Sequence, residues 1–179
     1  KSMLGMVFGG KKEKVNKDEV IYDAKSYTDA EGKESVHVSL FKYSKYYRFK
    51  DEATFIKTAK YYITNYNDFE IREEKLNRNT NGLQLDFLMT DTNSSKLQRC
   101  RIILRNSAKY VLTATIDPQI GQSAFIKTFF EEFKPVDSIT GGNLFEDKSD
   151  LFFDDLNSGD TARIKFARRN LTDLKFNND

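Results

Sequence analysis

From Asp68 to Ile116 the chain passes through four stretches in which apolar and polar residues alternate, separated only by short polar connections. Gly82 to Thr90 sets Leu83, Leu85, Phe87 and Met89 against Gln84, Asp86 and Thr90, and Leu97 to Arg105 sets Cys100, Ile102 and Leu104 against Arg99, Arg101, Ile103 and Arg105. Lys109 to Ile116 places Tyr110, Leu112, Ala114 and Ile116 opposite Val111, Thr113 and Thr115, while Asp68 to Leu76 carries Phe69 and Ile71. Successive side chains of a strand point to opposite faces, so a period of two predicts half-buried strands. The connections Asn77–Asn81, Asp91–Lys96 and Asn106–Ser107 suit antiparallel neighbours and are too short for the crossover a parallel pair requires. The expectation is an antiparallel meander.

Upstream, Val20 to Tyr27 and Glu34 to Tyr43 flank Asp29-Ala30-Glu31-Gly32-Lys33, the signature of a hairpin whose second strand alternates Val36, Val38 and Leu40 with His37, Ser39 and Phe41. The period then changes. Phe55, Ile56, Ala59, Tyr62, Ile63 and Tyr66 recur at helical spacing with Lys57, Lys60 and Asn65 on the other face, which predicts a helix over 52–66 with Asp51 as its N-cap. After Asp117-Pro118, a second helix carries Phe125, Ile126, Phe129, Phe130 and Phe133 and ends before Pro135. Its apolar face predicts that it lies flat on the sheet, burial outweighing the unfavourable placement of Glu131 and Glu132 near its C-terminus. The fold class is α+β: an antiparallel sheet of about six strands flanked by helices, spanning 20–136.

The remainder divides by composition. Residues 137–148 form an acidic linker containing Gly141-Gly142, and 149–179 read as a helical hairpin. Ser149 and Asp160 stand as N-caps, with Phe152, Phe153 and Leu156 on the first helix and Ala162, Phe166, Ala167 and Leu171 on the second. Such a hairpin cannot close its own core, so it either docks on the sheet or begins a helical-repeat region. Residues 1–19 read as an arm, too short and too broken by Gly5, Gly9 and Gly10 for a signal or membrane-spanning segment, and suggest a piece of a longer chain.

Composition narrows the chemistry. Lysine and arginine total 29 against 27 acidic residues, a net charge of +2, which gives no global field for nucleic acid or an anionic membrane. With one Cys and one His, neither a disulfide framework nor a thiolate or imidazole zinc centre is expected. Cys100 reads as a buried small hydrophobe and His37 as structural or exposed. The aspartates 147, 150, 154, 155 and 160 lack the order of a calcium loop and read as caps and first-turn acids. No Gly-rich phosphate loop, nucleophile elbow or His-Glu metalloprotease pair is present, so no catalytic residue and no cofactor is assigned.

Two clusters offer binding chemistry. Arg99, Arg101 and Arg105 share one strand face, either as a docking strip, together with exposed members of Tyr43–Arg48 such as Tyr46 and Arg48, or balanced by acids on neighbouring strands, Asp86 among them. In Lys42–Lys50, interleaved aromatic and basic residues could stack bases, but the charge balance favours aromatics packed beneath the first helix with lysines in water. Alternatively, Tyr61, Tyr62, Tyr66 and Phe69 line a small-ligand pocket between that helix and the sheet.

The order hairpin, helix, four-strand meander and closing helix, with Phe125-x-x-x-Phe129-x-x-x-Phe133 ahead of Lys134-Pro135, resembles the PsbP-like fold. That α/β/α sandwich is shared by the photosystem II extrinsic subunit and a Ran-binding nuclear import factor, and the resemblance covers Val20 to Val136. The Lys-, Asn-, Phe- and Tyr-rich composition, continued by Asn143-Leu144-Phe145-Glu146-Asp147-Lys148, is also similar to multidomain proteins of Bacteroidota-type bacteria. Members of the fold act mostly as binding or assembly modules, which implies a non-enzymatic interaction module of a larger bacterial protein. Its partner would be another protein or a neighbouring domain, with a small ligand as the alternative. Neither nucleic-acid binding nor membrane insertion is expected, and the compartment stays open, the bacterial cell envelope being the working expectation.

Overall fold

The computed structural model describes residues 21–66, 68–79, 82–135 and 142–174; the arm at 1–19, most of the linker and the last five residues of the hairpin lie outside them. Six strands form one antiparallel sheet: β1 (Ile21–Thr28), β2 (Ser35–Lys42), β3 (Phe69–Asn79), β4 (Gly82–Asp91), β5 (Leu97–Arg105) and β6 (Ala108–Ile116). Their order across the sheet is β1-β2-β6-β5-β4-β3. The meander from β3 to β6 thus returns to the hairpin, β6 pairing with β2 from Val36↔Ala114 to Lys42↔Ala108. Helix α1 (Glu52–Tyr66) carries the chain from β2 to the far edge at β3, and α2 (Ala124–Glu132) closes the opposite face.

Period-two alternation divides the sheet between two cores. Val36, Val38, Leu40, Ile103, Tyr110, Leu112, Ala114 and Ile116 pack against Ile126 and Phe130 of α2. On the reverse face Leu83, Leu85, Phe87, Met89, Cys100, Ile102 and Leu104 pack against Phe55 and Ile63 of α1. The two helices lie over different halves of the sheet, α2 above the β2–β6 side and α1 above the β3–β5 side. That offset leaves part of each face without a helical roof.

Local signals account for the ends of the helices. Asp51 accepts the Thr54 amide at 2.6 Å through Oδ1, and the Ser123 hydroxyl accepts the Ile126 amide at 3.2 Å. Ser149, expected to be an N-cap, is instead the first residue of α3 (Ser149–Leu156), and Asp147 accepts its amide at 2.7 Å. A carboxylate two residues upstream reaches that orphan donor more easily than a serine already inside the helix. Asp160 caps α4 (Thr161–Arg169) as expected, accepting the amides of Ala162 and Arg163.

The helical hairpin docks on the sheet domain. Tyr46, from the segment after β2, is wholly buried among Phe152, Phe166, Ala167 and Leu174 in a third core. Its hydroxyl donates to Asp155 Oδ2 at 2.6 Å, and Ser44 donates to Asp173 at 2.5 Å. Among the described residues, no helix is long and apolar enough to cross a membrane.

Gly82 illustrates how closely the sheet is built. Its φ is +155°, and a Cβ there would stand 2.0 Å from the Leu104 carbonyl oxygen on β5. Since that oxygen belongs to backbone, the strands themselves would have to part. Gly82→Ala is expected to cost about 2–3 kcal/mol, read as a lower urea midpoint at unchanged slope.

Candidate functional site

Where the α1 face loses its helical roof, a half-open cavity of about 710 Å³ is bordered by α1, the sheet and the segment after β2. Its floor consists of alternate residues of three strands: Met89 of β4; Gln98, Cys100 and Ile102 of β5; and Lys109, Val111 and Thr113 of β6. Phe55, Ala59, Tyr62 and Ile63 form the α1 wall, and Phe69 lies where β3 begins. Small or β-branched floor residues leave the space open, because Cys100, Val111 and Thr113 do not reach the helix that Phe55 and Ile63 hold in place.

The segment following β2 builds the end wall. Burial alternates along it: Ser44, Tyr46 and Arg48 are buried, whereas Tyr43, Tyr47 and Phe49 are half-buried and line the cavity. Tyr43 and Tyr47 stack with ring centroids 4.4 Å apart, and Phe49 meets both edge-on. The Phe49 amide donates to the Leu144 carbonyl at 2.8 Å, so the segment preceding α3 braces this aromatic wall from behind. Burial raises the pKa of both tyrosines, most strongly Tyr43, keeping their phenols neutral donors at physiological pH.

The lining is polar at few points. Among its residues, Lys50 and Lys109 are the charged ones, and no Asp or Glu is present. Lys109 is half-buried, its Nζ 4.3 Å from the Phe41 ring centroid, and burial lowers its pKa. It makes no ion pair among the described residues. Gln98 accepts from the Thr115 hydroxyl at 3.0 Å, while Thr54 and Thr58 stand at the exposed rim.

No family model matches the sequence, and no curated protein matches it. Among solved structures, a protein of unknown function from Pseudomonas aeruginosa is similar at 12% identity and a TM-score of 0.45, over 67% of this chain and 86% of that one.

Of the residues expected to line a pocket here, Tyr62 and Phe69 do so. Tyr61 does not, although it is exposed to the same extent as Tyr62, and the Tyr66 side chain lies outside the described residues. Spacing missed Tyr43, Tyr47, Lys109 and Thr113 as lining residues. The alternation in Tyr43–Phe49 carried a signal for the first two, since it places Tyr43, Tyr47 and Phe49 on one side.

The arginine strip is engaged within the fold. Arg99, Arg101 and Arg105 share a face as expected, but it is the face that α2 covers, and all three are half-buried. Arg101 Nε donates to Asp86 at 2.6 Å, while its Nη1 donates to the Phe130 carbonyl in the last turn of α2. There the guanidinium meets the negative end of the helix, and Arg99 stands within electrostatic reach of Glu131. Arg99 lies over the Phe130 ring, 4.2 Å from its centroid. Tyr46 and Arg48, expected as exposed contacts, are buried: the helical hairpin covers Tyr46, and Arg48 pairs with Asp147 at 3.3 Å. Lys45, expected in water, ion-pairs with Asp155 at 2.5 Å.

Cys100 is buried and His37 exposed, as expected. Burial, with a smaller contribution from Asp86, raises the Cys100 thiol to about 12, so it stays protonated at neutral pH. His37 is exposed on the hairpin and lies 2.6 Å from Ser26 Oγ and 3.3 Å from Ser35 Oγ.

Proposed function

We propose that this domain is a non-catalytic binding module whose ligand is a small, largely apolar molecule held between α1 and the sheet. The observation that carries the reading is the 710 Å³ cavity walled by Tyr43, Tyr47, Phe49, Phe55, Tyr62 and Phe69. Cavities that take small molecules have this range of size and this makeup, an apolar lining with a few polar groups that fix orientation. A protonated Cys100 in the floor favours binding over covalent chemistry. The resemblance in element order to the PsbP-like fold, whose members mostly bind or assemble, supports the same class. Two of the three residues of the arginine strip, the leading candidate for protein docking on sequence grounds, are engaged within the fold, Arg101 by Asp86 and α2 and Arg99 by the Phe130 ring, which favours the cavity.

Decanol provides a test. Titration into the wild-type chain is expected to raise Tm saturably with one-to-one stoichiometry, as mass action requires of a ligand that binds only the folded state. Thr113→Phe places a ring on the cavity floor and is expected to remove most of that shift while leaving a folded protein, since Phe suits a strand. A Tm rise of equal size in both proteins would show that decanol binds elsewhere and would sink the reading.

A further inference from the structure

The charge of the cavity goes further than its shape. The chain as a whole is nearly neutral, yet the lining holds two lysines and no carboxylate. Lys50 is exposed at the rim, but Lys109 is half-buried on the floor, level with Phe41 on β2 and Leu104 on β5. A half-buried strand position among apolar side chains is a costly place for an ammonium group unless a counter-charge meets it. Within the described part of the protein that counter-charge is not supplied: Lys109 has the Phe41 ring at 4.3 Å and no ion pair. The ring offers a weaker attraction than a carboxylate would.

Resting on the cavity reading, we infer that the ligand is an amphipathic acid, whose anionic head meets Lys109 while its apolar body lies along α1 against Phe55, Ala59 and Tyr62. The neutral hydroxyl of Tyr43 belongs to a residue of the same lining and adds a donor suited to a carboxylate. The alternation of β6 that sends Tyr110 and Leu112 into the α2 core sends Lys109 and Val111 to the cavity. One floor therefore offers an apolar surface and a cation side by side.

Decanoate, decanol and decyltrimethylammonium share one tail and differ in head charge. For the wild-type chain decanoate is expected to bind at least about tenfold more tightly than decanol, and the ammonium compound most weakly of the three. The preference for acid over alcohol should shrink with added salt, because the head group stays within reach of counter-ions. Lys109→Gln should bring the acid-to-alcohol ratio close to one, whereas Lys109→Arg should retain most of it. The salt series on the wild-type chain alone decides the matter if the glutamine variant does not fold. Decanol binding with no preference for decanoate would overturn the acid inference and leave the cavity reading standing. Failure of both to bind would remove the cavity reading and, with it, this inference.

Discussion

Asp155→Ala is expected to release the helical hairpin from the sheet domain, lowering the free energy that holds it in place by about 3 kcal/mol, the cost of losing charge-assisted hydrogen bonds to a buried carboxylate whose cationic partners still reach solvent. Asp155 is fully buried, yet three donors converge on its carboxylate: Lys45 Nζ at 2.5 Å, Tyr46 Oη at 2.6 Å and Arg163 Nε at 2.7 Å. Burial alone would raise its pKa, but hydrogen bonds from these groups outweigh that and bring it down to about 2. A folded-state pKa below the unfolded value means that the contribution is fully present above about pH 4 and is lost as pH falls toward about 2. Truncating the carboxylate takes this acceptor from the buried Tyr46 hydroxyl, while Lys45 and Arg163 turn to water, so the loss exceeds that of one hydrogen bond. Hydrogen exchange is the direct measurement: amides of α3 and α4 should lose protection while those of β4, β5 and β6 keep theirs. Asp155→Asn should be milder, because the amide oxygen still accepts from Tyr46. Equal loss of protection in the sheet would mean that the hairpin and sheet unfold as one unit, contrary to this expectation.

What was legible in the sequence was whatever depends on neighbours a few residues away. The faces of β4, β5 and β6 follow from side-chain alternation, a purely local rule, and the caps Asp51 and Asp160 follow from the same local logic. The extent of α1, expected at 52–66, is that of the structure. Tyr46 was not legible in this way, because its partner Asp155 is 109 positions away, and a tyrosine in a basic, aromatic segment looks alike whether it is covered or bare. The arginines show the same limit: alternation puts them on one face but says nothing about where α2 will lie. Half of the cavity was visible for the same reason. Tyr62 belongs to the local stripe of α1, whereas Lys109 becomes part of the cavity only when the meander brings β6 to the same side of the sheet as that helix.

Phe130→Ala is expected to cost about 3–5 kcal/mol, a third or more of the stability of an ordinary domain, and to bear on whether the arginine strip belongs to the fold or to a partner. The ring is fully buried between the β2–β6 core and the guanidiniums of Arg99 and Arg101, whose centres lie 4.2 and 5.6 Å from its centroid. Its loss removes burial, leaves a void and takes away the surface on which both cations rest. Because so large a loss can leave little folded protein, the decisive measurement uses Phe130→Leu, which keeps an aliphatic side chain in the core. Combined with Arg99→Ala in a double-mutant cycle under urea, it should show a coupling of about 0.5–1 kcal/mol, since the ring–guanidinium contact is removed by either change. Arg99 and Arg101 would then be parts of the α2 packing that carry charge. Strict additivity would mean that Arg99 gains nothing from the ring, returning the strip to the status of a surface awaiting a partner.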